Sequence, residues 1–129
     1  MPFPSDPHRE QVLSIVIPAY NEAATIAELL RRVLAVELPV GREIIVVDDG
    51  SSDSTKAEVA PFVEAKQVRY LRLAKNSGKG KALRAGFAAA RGDFVLVQDA
   101  DLEYDPKDIP FLLMPLLELG AEAVYGSRV

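Results

Sequence analysis

The chain contains no cysteine and a single histidine, His8, among its 129 residues. Disulfides, thiolate zinc sites and cysteine nucleophiles are therefore excluded. His8 lies in a Pro-rich N-terminus whose residues 1–10 are expected to fray, which sets aside histidine-based triads and zinc sites. Positive charge is also in short supply: 15 Lys and Arg stand against 19 Asp and Glu, a net charge of −4. A general nucleic-acid binder would want a basic surface, so nucleic acid is not an expected partner. Long apolar runs are missing. The longest strongly apolar stretch, Phe111 to Leu117, falls far short of the roughly 18 residues that span a bilayer. Nothing at the N-terminus resembles a signal peptide. A cytoplasmic setting is the default expectation, and the length suits one domain over residues 1–129.

What is there is an alternation of short apolar runs with helical periodicity. Leu13–Pro18, Glu43–Asp49, Val68–Leu73, Phe94–Val97 and Ala121–Tyr125 read as strands, the third as an edge. Ile26, Leu29, Leu30, Val33 and Leu34 recur at helical spacing, with Asn21 or the Thr25…Glu28 pair as the start signal and Pro39 and Gly41 as the stop. A weaker helix is expected from about Ser54 to Ala65, with Val59, Phe62 and Val63 inward and Pro61 limiting it. A third carries Leu83, Gly86, Phe87 and Ala90 on one face and closes at Gly92. In the last helix Asp108 is the expected cap, Pro110 fits the first turn, Pro115 should kink the chain and Gly120 ends it. Strand–helix alternation of this kind predicts an open, mainly parallel α/β sheet with helices on both faces.

The unusual polar residues all follow strands: Tyr20-Asn21-Glu22, Asp48-Asp49, the basic loop Lys75 to Lys81, and Asp99-Ala100-Asp101. Ligands of open α/β sheets sit outside the carboxyl ends of the strands, where the strand order reverses. A strand order of 3-2-1-4-5 would place these clusters around one crevice. In an extended chain Asp99, Asp101 and Glu103 would point the same way. Carboxylates that close repel unless a cation lies among them, and Mg²⁺ or Mn²⁺ with oxygen ligands and substrate phosphates suits such a set. An acidic loop that merely caps the next helix, through Asp105 or Asp108, is the competing explanation. The basic loop fails the Walker and dinucleotide patterns, because position 83 is Leu83 and the required serine or threonine is absent. Tyr104, where a turn glycine belongs, removes an EF-hand. Lysines and glycine amides beside a metal–phosphate site would serve a diphosphate; in isolation they would be a solvated loop.

Ser14-Ile15-Val16-Ile17-Pro18-Ala19-Tyr20-Asn21-Glu22, Ile44 to Asp53, Asn76 to Leu83, Gln98 to Pro106 and Tyr125-Gly126-Ser127-Arg128 together resemble family 2 glycosyltransferases of the GT-A fold. The last two segments are most similar to the branch of dolichol-phosphate mannosyltransferase and bacterial polyprenyl-phosphate glycosyltransferases. The resemblance implies a UDP- or GDP-linked sugar donor, a Mg²⁺ or Mn²⁺ cofactor and inversion at the sugar's anomeric carbon. Pro18, Tyr20 and Glu22 would line the nucleoside pocket and Asp49 would accept a hydrogen bond from the base, with Asp48 orienting the turn. Asp99 and Asp101 would be the family's DxD pair. Asp101 would be the catalytic residue, binding the cation directly, while Asp99 contacts ribose or metal and Glu103 is a further metal ligand. Ala100, Lys81 and Arg128 complete the nucleotide-binding set, Arg128 reaching a phosphate.

A lipid-phosphate acceptor is the implied partner of a longer protein at the cytoplasmic face of a membrane. An acceptor of that kind is ionised at neutral pH and needs no strong general base. Family members continue beyond a point equivalent to Val129, so the chain is expected to be a donor-binding half that turns over poorly by itself. An open sheet face would favour self-association. A nucleotidyltransferase using the same carboxylate pair, or a non-catalytic domain that kept the sheet, are the other expectations.

Overall fold

The structure is a computed structural model and describes residues 10–119 and the strand 123–125. Five strands form one sheet: β1 (Val12–Ala19), β2 (Gly41–Asp48), β3 (Arg69–Arg72), β4 (Phe94–Val97) and β5 (Ala123–Tyr125). Their order is β3-β2-β1-β4-β5, and every pairing is parallel, as the alternation predicts. Between them run α1 (Ile26–Ala35), α2 (Thr55–Glu64), α3 (Lys79–Ala89) and α4 (Ile109–Leu119), the last preceded by a 3₁₀ turn, Pro106–Asp108.

The central strands are apolar on both sides because both faces are covered. Leu13, Ile15 and Ile17 of β1, with Ile44, Val46 and Leu96, pack against α1, α2 and α4. Val16, Ile45, Val47 and Val97 point the other way, where α3 supplies Ala82 and Leu83. At Gly86 an added Cβ would lie 2.4 Å from Val16 Cγ1, so only glycine lets α3 sit this close to the sheet.

Several expectations need correction. Pro61 does not limit α2, which continues through it to Glu64. Val63 is 39% exposed and Phe87 38% exposed, so neither faces the core as expected. The 3₁₀ turn ahead of the last helix is capped by Asp105, whose side chain accepts the Lys107 amide, and Asp108 is the residue directly before α4. β2 begins at Gly41, two residues earlier than the apolar run suggests. Gly120 and Arg128 lie outside the described residues.

At the amino-terminal edge of the sheet Glu43 ties β1, β2, β3 and the end of α3 together. Its carboxylate accepts hydrogen bonds from Ser14 Oγ (2.7 Å), Arg69 Nη1 (2.8 Å) and the Arg91 amide (2.9 Å). Burial pushes the Glu43 carboxyl up, but the Arg91 amide, the Ser14 hydroxyl and Arg69 outweigh it and hold the group below its ordinary 4.5. A depressed native value means that Glu43 contributes stability above pH 4.5 and loses it as the pH falls through that lower value. Acid titration of the unfolding midpoint should therefore show a steeper low-pH decline for the native chain than for Glu43→Gln. Parallel declines would remove Glu43 from the acid transition.

Candidate functional site

The carboxyl ends of β1, β2 and β4 open onto a cleft of about 530 Å³, closed on one side by the start of α3. Register sets its floor. Pro18 pairs with Val47 and Val16 with Val97, so Asp99, two residues beyond β4, arrives level with Pro18.

One wall is the loop after β1, stitched to the turn after β2. Asn21 adopts a left-handed backbone (φ 53°), which asparagine tolerates better than most residues. Its Oδ1 accepts the Ser52 amide (2.8 Å), while its own amide donates to Ser51 Oγ (2.8 Å). The Glu22 amide donates to Thr55 Oγ1 (3.0 Å) and the Ala23 amide to Asp53 Oδ2 (3.2 Å). The turn itself needs Gly50, at φ +74°, where a Cβ would meet the Asn76 nitrogen at 2.6 Å. Fully buried Asp48 holds this turn by accepting the Ser51 amide (2.7 Å), Tyr70 Oη (2.5 Å) and Arg72 Nη1 (3.1 Å). Burial and the Asp48 carboxylate push the Tyr70 hydroxyl above its ordinary value. Asp49 faces the cleft and accepts the Ser77 and Gly78 amides, one on each carboxylate oxygen (2.8 and 2.9 Å). Each oxygen keeps lone-pair capacity for a further donor.

The opposite wall is the acidic turn 99–104, which departs from the extended conformation the spacing suggests. Leu102 sits at φ 65°, and Asp101 Oδ1 accepts the Glu103 amide (3.0 Å). Gln98, almost wholly buried, closes the turn by donating from Nε2 to the Tyr104 carbonyl (2.7 Å). Thr25 stands at the head of α1 without a capping bond; its hydroxyl instead donates to the Ala100 carbonyl (2.7 Å). Glu28, the other half of the expected capping pair, is taken by Arg31 and Arg32.

Pro18, Tyr20, Glu22, Asp49, Asp99, Ala100, Asp101 and Glu103 thus surround one cleft. Among the described residues, however, no three carboxylates are gathered closely enough to hold a metal ion by themselves, because the chain turns where extension was expected. Lys81 points elsewhere: it is exposed and off the cleft lining, and Lys79 takes its place with Nζ 2.7 Å from Asp99 Oδ1. Sequence reasoning gave no role in the site to Gln98 or Thr25, and it placed Lys79 only within the basic loop.

The cleft is electronegative. Glu22 is pushed above its ordinary carboxyl value by burial, by Asp101, and by Asp53 and Asp99; the Thr25 hydroxyl only partly offsets this. The surplus of negative charge and the all-oxygen donor set fit a hard divalent cation that takes one or two carboxylates and completes its shell with phosphate oxygens.

The chain is similar in sequence and fold to proteins of known type. Dodecaprenyl-phosphate galacturonate synthase of Rhizobium johnstonii is 37% identical over 128 residues, covering 96% of this chain and 38% of that protein. Undecaprenyl-phosphate 4-deoxy-4-formamido-L-arabinose transferase of Pseudomonas aeruginosa is 42% identical over 116 residues, 87% of this chain and 33% of that one. The chain therefore spans little more than a third of the length of these relatives. Glucosyl-3-phosphoglycerate synthase of Mycobacterium tuberculosis, solved with Mn²⁺, uridine diphosphate and glucosyl-3-phosphoglycerate, superposes with a TM-score of 0.69 at 32% identity, over 84% of this chain and 40% of that one. Its GT-A fold is the one the motifs imply here. With a family model for Glycosyl transferase family 2 matching residues 14–129, the chain belongs to that family.

Proposed function

We propose that the chain is the donor-binding domain of an inverting glycosyltransferase that moves a sugar from a UDP- or GDP-linked donor to a polyprenyl phosphate. The observation that supports this best is the meeting of Asp49, from the turn after β2, with Asp99 and Asp101, from the turn after β4, in one cleft beside Gly78 and Lys79. Asp49 and Tyr20 take the nucleoside side of the cleft, Pro18 beneath them. Asp101, with Asp99, would hold Mg²⁺ or Mn²⁺, completed by the donor's phosphates; Glu103 borders the same space. When bound, the cation stabilises the negative charge that grows on the departing diphosphate. Lys79, at the amino end of α3, supplies a second positive group on the same side. The two prenyl-phosphate relatives name an acceptor whose oxygen is already ionised near neutral pH, so a strong general base is not required of the residues that line the cleft. No helix among the described residues is long and apolar enough to cross a membrane, so approach to such an acceptor would use a surface or a further segment.

Titration calorimetry with UDP and GDP, with and without Mn²⁺, tests the reading. Diphosphate binding that requires the metal supports it. Preference for a triphosphate would favour nucleotidyl transfer, and absence of binding would leave a non-catalytic domain.

A further inference from the structure

Charge is unevenly distributed along the chain. Residues 65–92 contain eight of the fifteen Lys and Arg (Lys66, Arg69, Arg72, Lys75, Lys79, Lys81, Arg84, Arg91) and none of the nineteen Asp and Glu. In a protein of net charge −4 such a segment is a local reversal of sign. Apart from Lys66, which follows α2, and Lys75, in the loop after β3, the fold sets its unpaired members along α3. α3 turns Ala82, Leu83 and Gly86 to the sheet and leaves Lys81, Arg84, Phe87 and Ala88 outward, with Arg91 continuing the row. Because α3 is the only helix on this side among the described residues, that row is the outer surface of the sheet's second face. Arg69, Arg72 and Lys79 are consumed by Glu43, Asp48 and Asp99, but Lys75, Lys81, Arg84 and Arg91 form no ion pair with another described residue. Of the exposed acids, Glu58, Glu64 and Glu118 lie on α2 and α4, across the sheet, while Asp101 and Glu103 line the cleft at the sheet's carboxyl edge and not the outer face of α3.

We infer that the outer face of α3 docks on an anionic lipid bilayer. Lys75, Lys81, Arg84 and Arg91 are complementary to a surface of phosphate headgroups, and Phe87, 38% exposed in the middle of the row, offers an aromatic ring at headgroup depth. The acids of the far side would repel a polyanion that wraps the protein, but not a flat surface that meets only one face. Docking this way also places the site. The first turn of α3 supplies Gly78, Lys79 and Ala82 to the cleft, so the cleft mouth is continuous with the basic row and would open beside the membrane. This rests on the lipid-phosphate reading above for its purpose, though not for its test.

The experiment is co-sedimentation of the 129-residue chain with phosphatidylcholine vesicles and with phosphatidylcholine–phosphatidylglycerol vesicles at low and physiological salt. Binding is expected only to the anionic vesicles and to weaken with salt. Each Lys or Arg near such a surface is worth about five-fold in partitioning, so Arg84→Gln/Arg91→Gln should lower it about thirty-fold. Arg31→Gln/Lys107→Gln, the same charge change on the other side, should leave it near the native value. Equal losses in the two pairs, or equal binding to neutral vesicles, would overturn the inference, as would displacement from vesicles by homopolymer RNA. UDP calorimetry on the same variants separates the two readings: unchanged nucleotide binding with lost vesicle binding confirms the face, and vesicle binding without nucleotide binding refutes the donor site alone.

Discussion

Asp101→Asn is expected to weaken Mn²⁺-dependent nucleotide binding by about 100-fold or more, since even partners one layer behind a metal ligand cost ten- to a hundred-fold. The substitution keeps the shape of the side chain and an oxygen able to accept the Glu103 amide, the one internal bond Asp101 makes in the turn. Only the charge is lost, so the unfolding midpoint should hardly move. The sign in metal-free solution should differ. With one fewer anion facing the donor's phosphates, binding in the presence of a chelator should stay the same or tighten slightly. Calorimetry under both conditions decides. An equal loss with and without metal would make Asp101 a structural residue, and no loss would remove it from the site.

The largest effect on stability is expected from Asp48→Ala, about 3 kcal/mol, or a fall of roughly 10 °C in Tm for a domain of this size. Asp48 is fully buried and accepts three hydrogen bonds. Arg72 is 39% exposed and can turn to water, so its share is small. The weight rests on the Ser51 amide and the Tyr70 hydroxyl, which would be left without acceptors in a closed site. Asp48→Asn keeps one oxygen and should lose less than half as much. Thermal unfolding followed by circular dichroism gives both numbers, and a fall under about 3 °C for Asp48→Ala would show that the turn is held by other means.

The parts of this molecule that were legible in the sequence are those set by period and by position relative to strand ends. Ile44 to Val47 could only be a doubly covered strand, and clusters of Asp, Asn and Gly after strands had to meet once the order was 3-2-1-4-5. The parts that were not legible depend on which of several donors reaches which acceptor. Thr25 looks like a cap, yet the Ala100 carbonyl lies within reach of its hydroxyl from a turn 75 residues away. Gln98 reads as the polar end of a strand until the turn folds back and brings the Tyr104 carbonyl to it. The extended spacing of Asp99, Asp101 and Glu103 fails for a local reason, since Leu102 enters the left-handed region and re-aims Glu103 and Tyr104. Lys79 and Lys81 differ by two positions, which on a helix is about half a turn, enough to send one to the cleft and the other to solvent. Helical periodicity likewise misplaced Phe87, because Gly86 brings α3 so near the sheet that no room remains for a ring at its flank.

The contact between Lys79 and Asp99 has a thermodynamic corollary. A ligand or ion that claims the Asp99 carboxylate must first evict an ammonium group already seated there, and a phosphate that claims the ammonium must evict the carboxylate. When both arrive together, each displaced partner finds a new one at the same moment. Neither newcomer bears the whole cost of separation, and occupancy by one lowers the threshold for the other. Under the proposed function, cooperative uptake of cation and diphosphate would follow from a single ion pair at the head of α3.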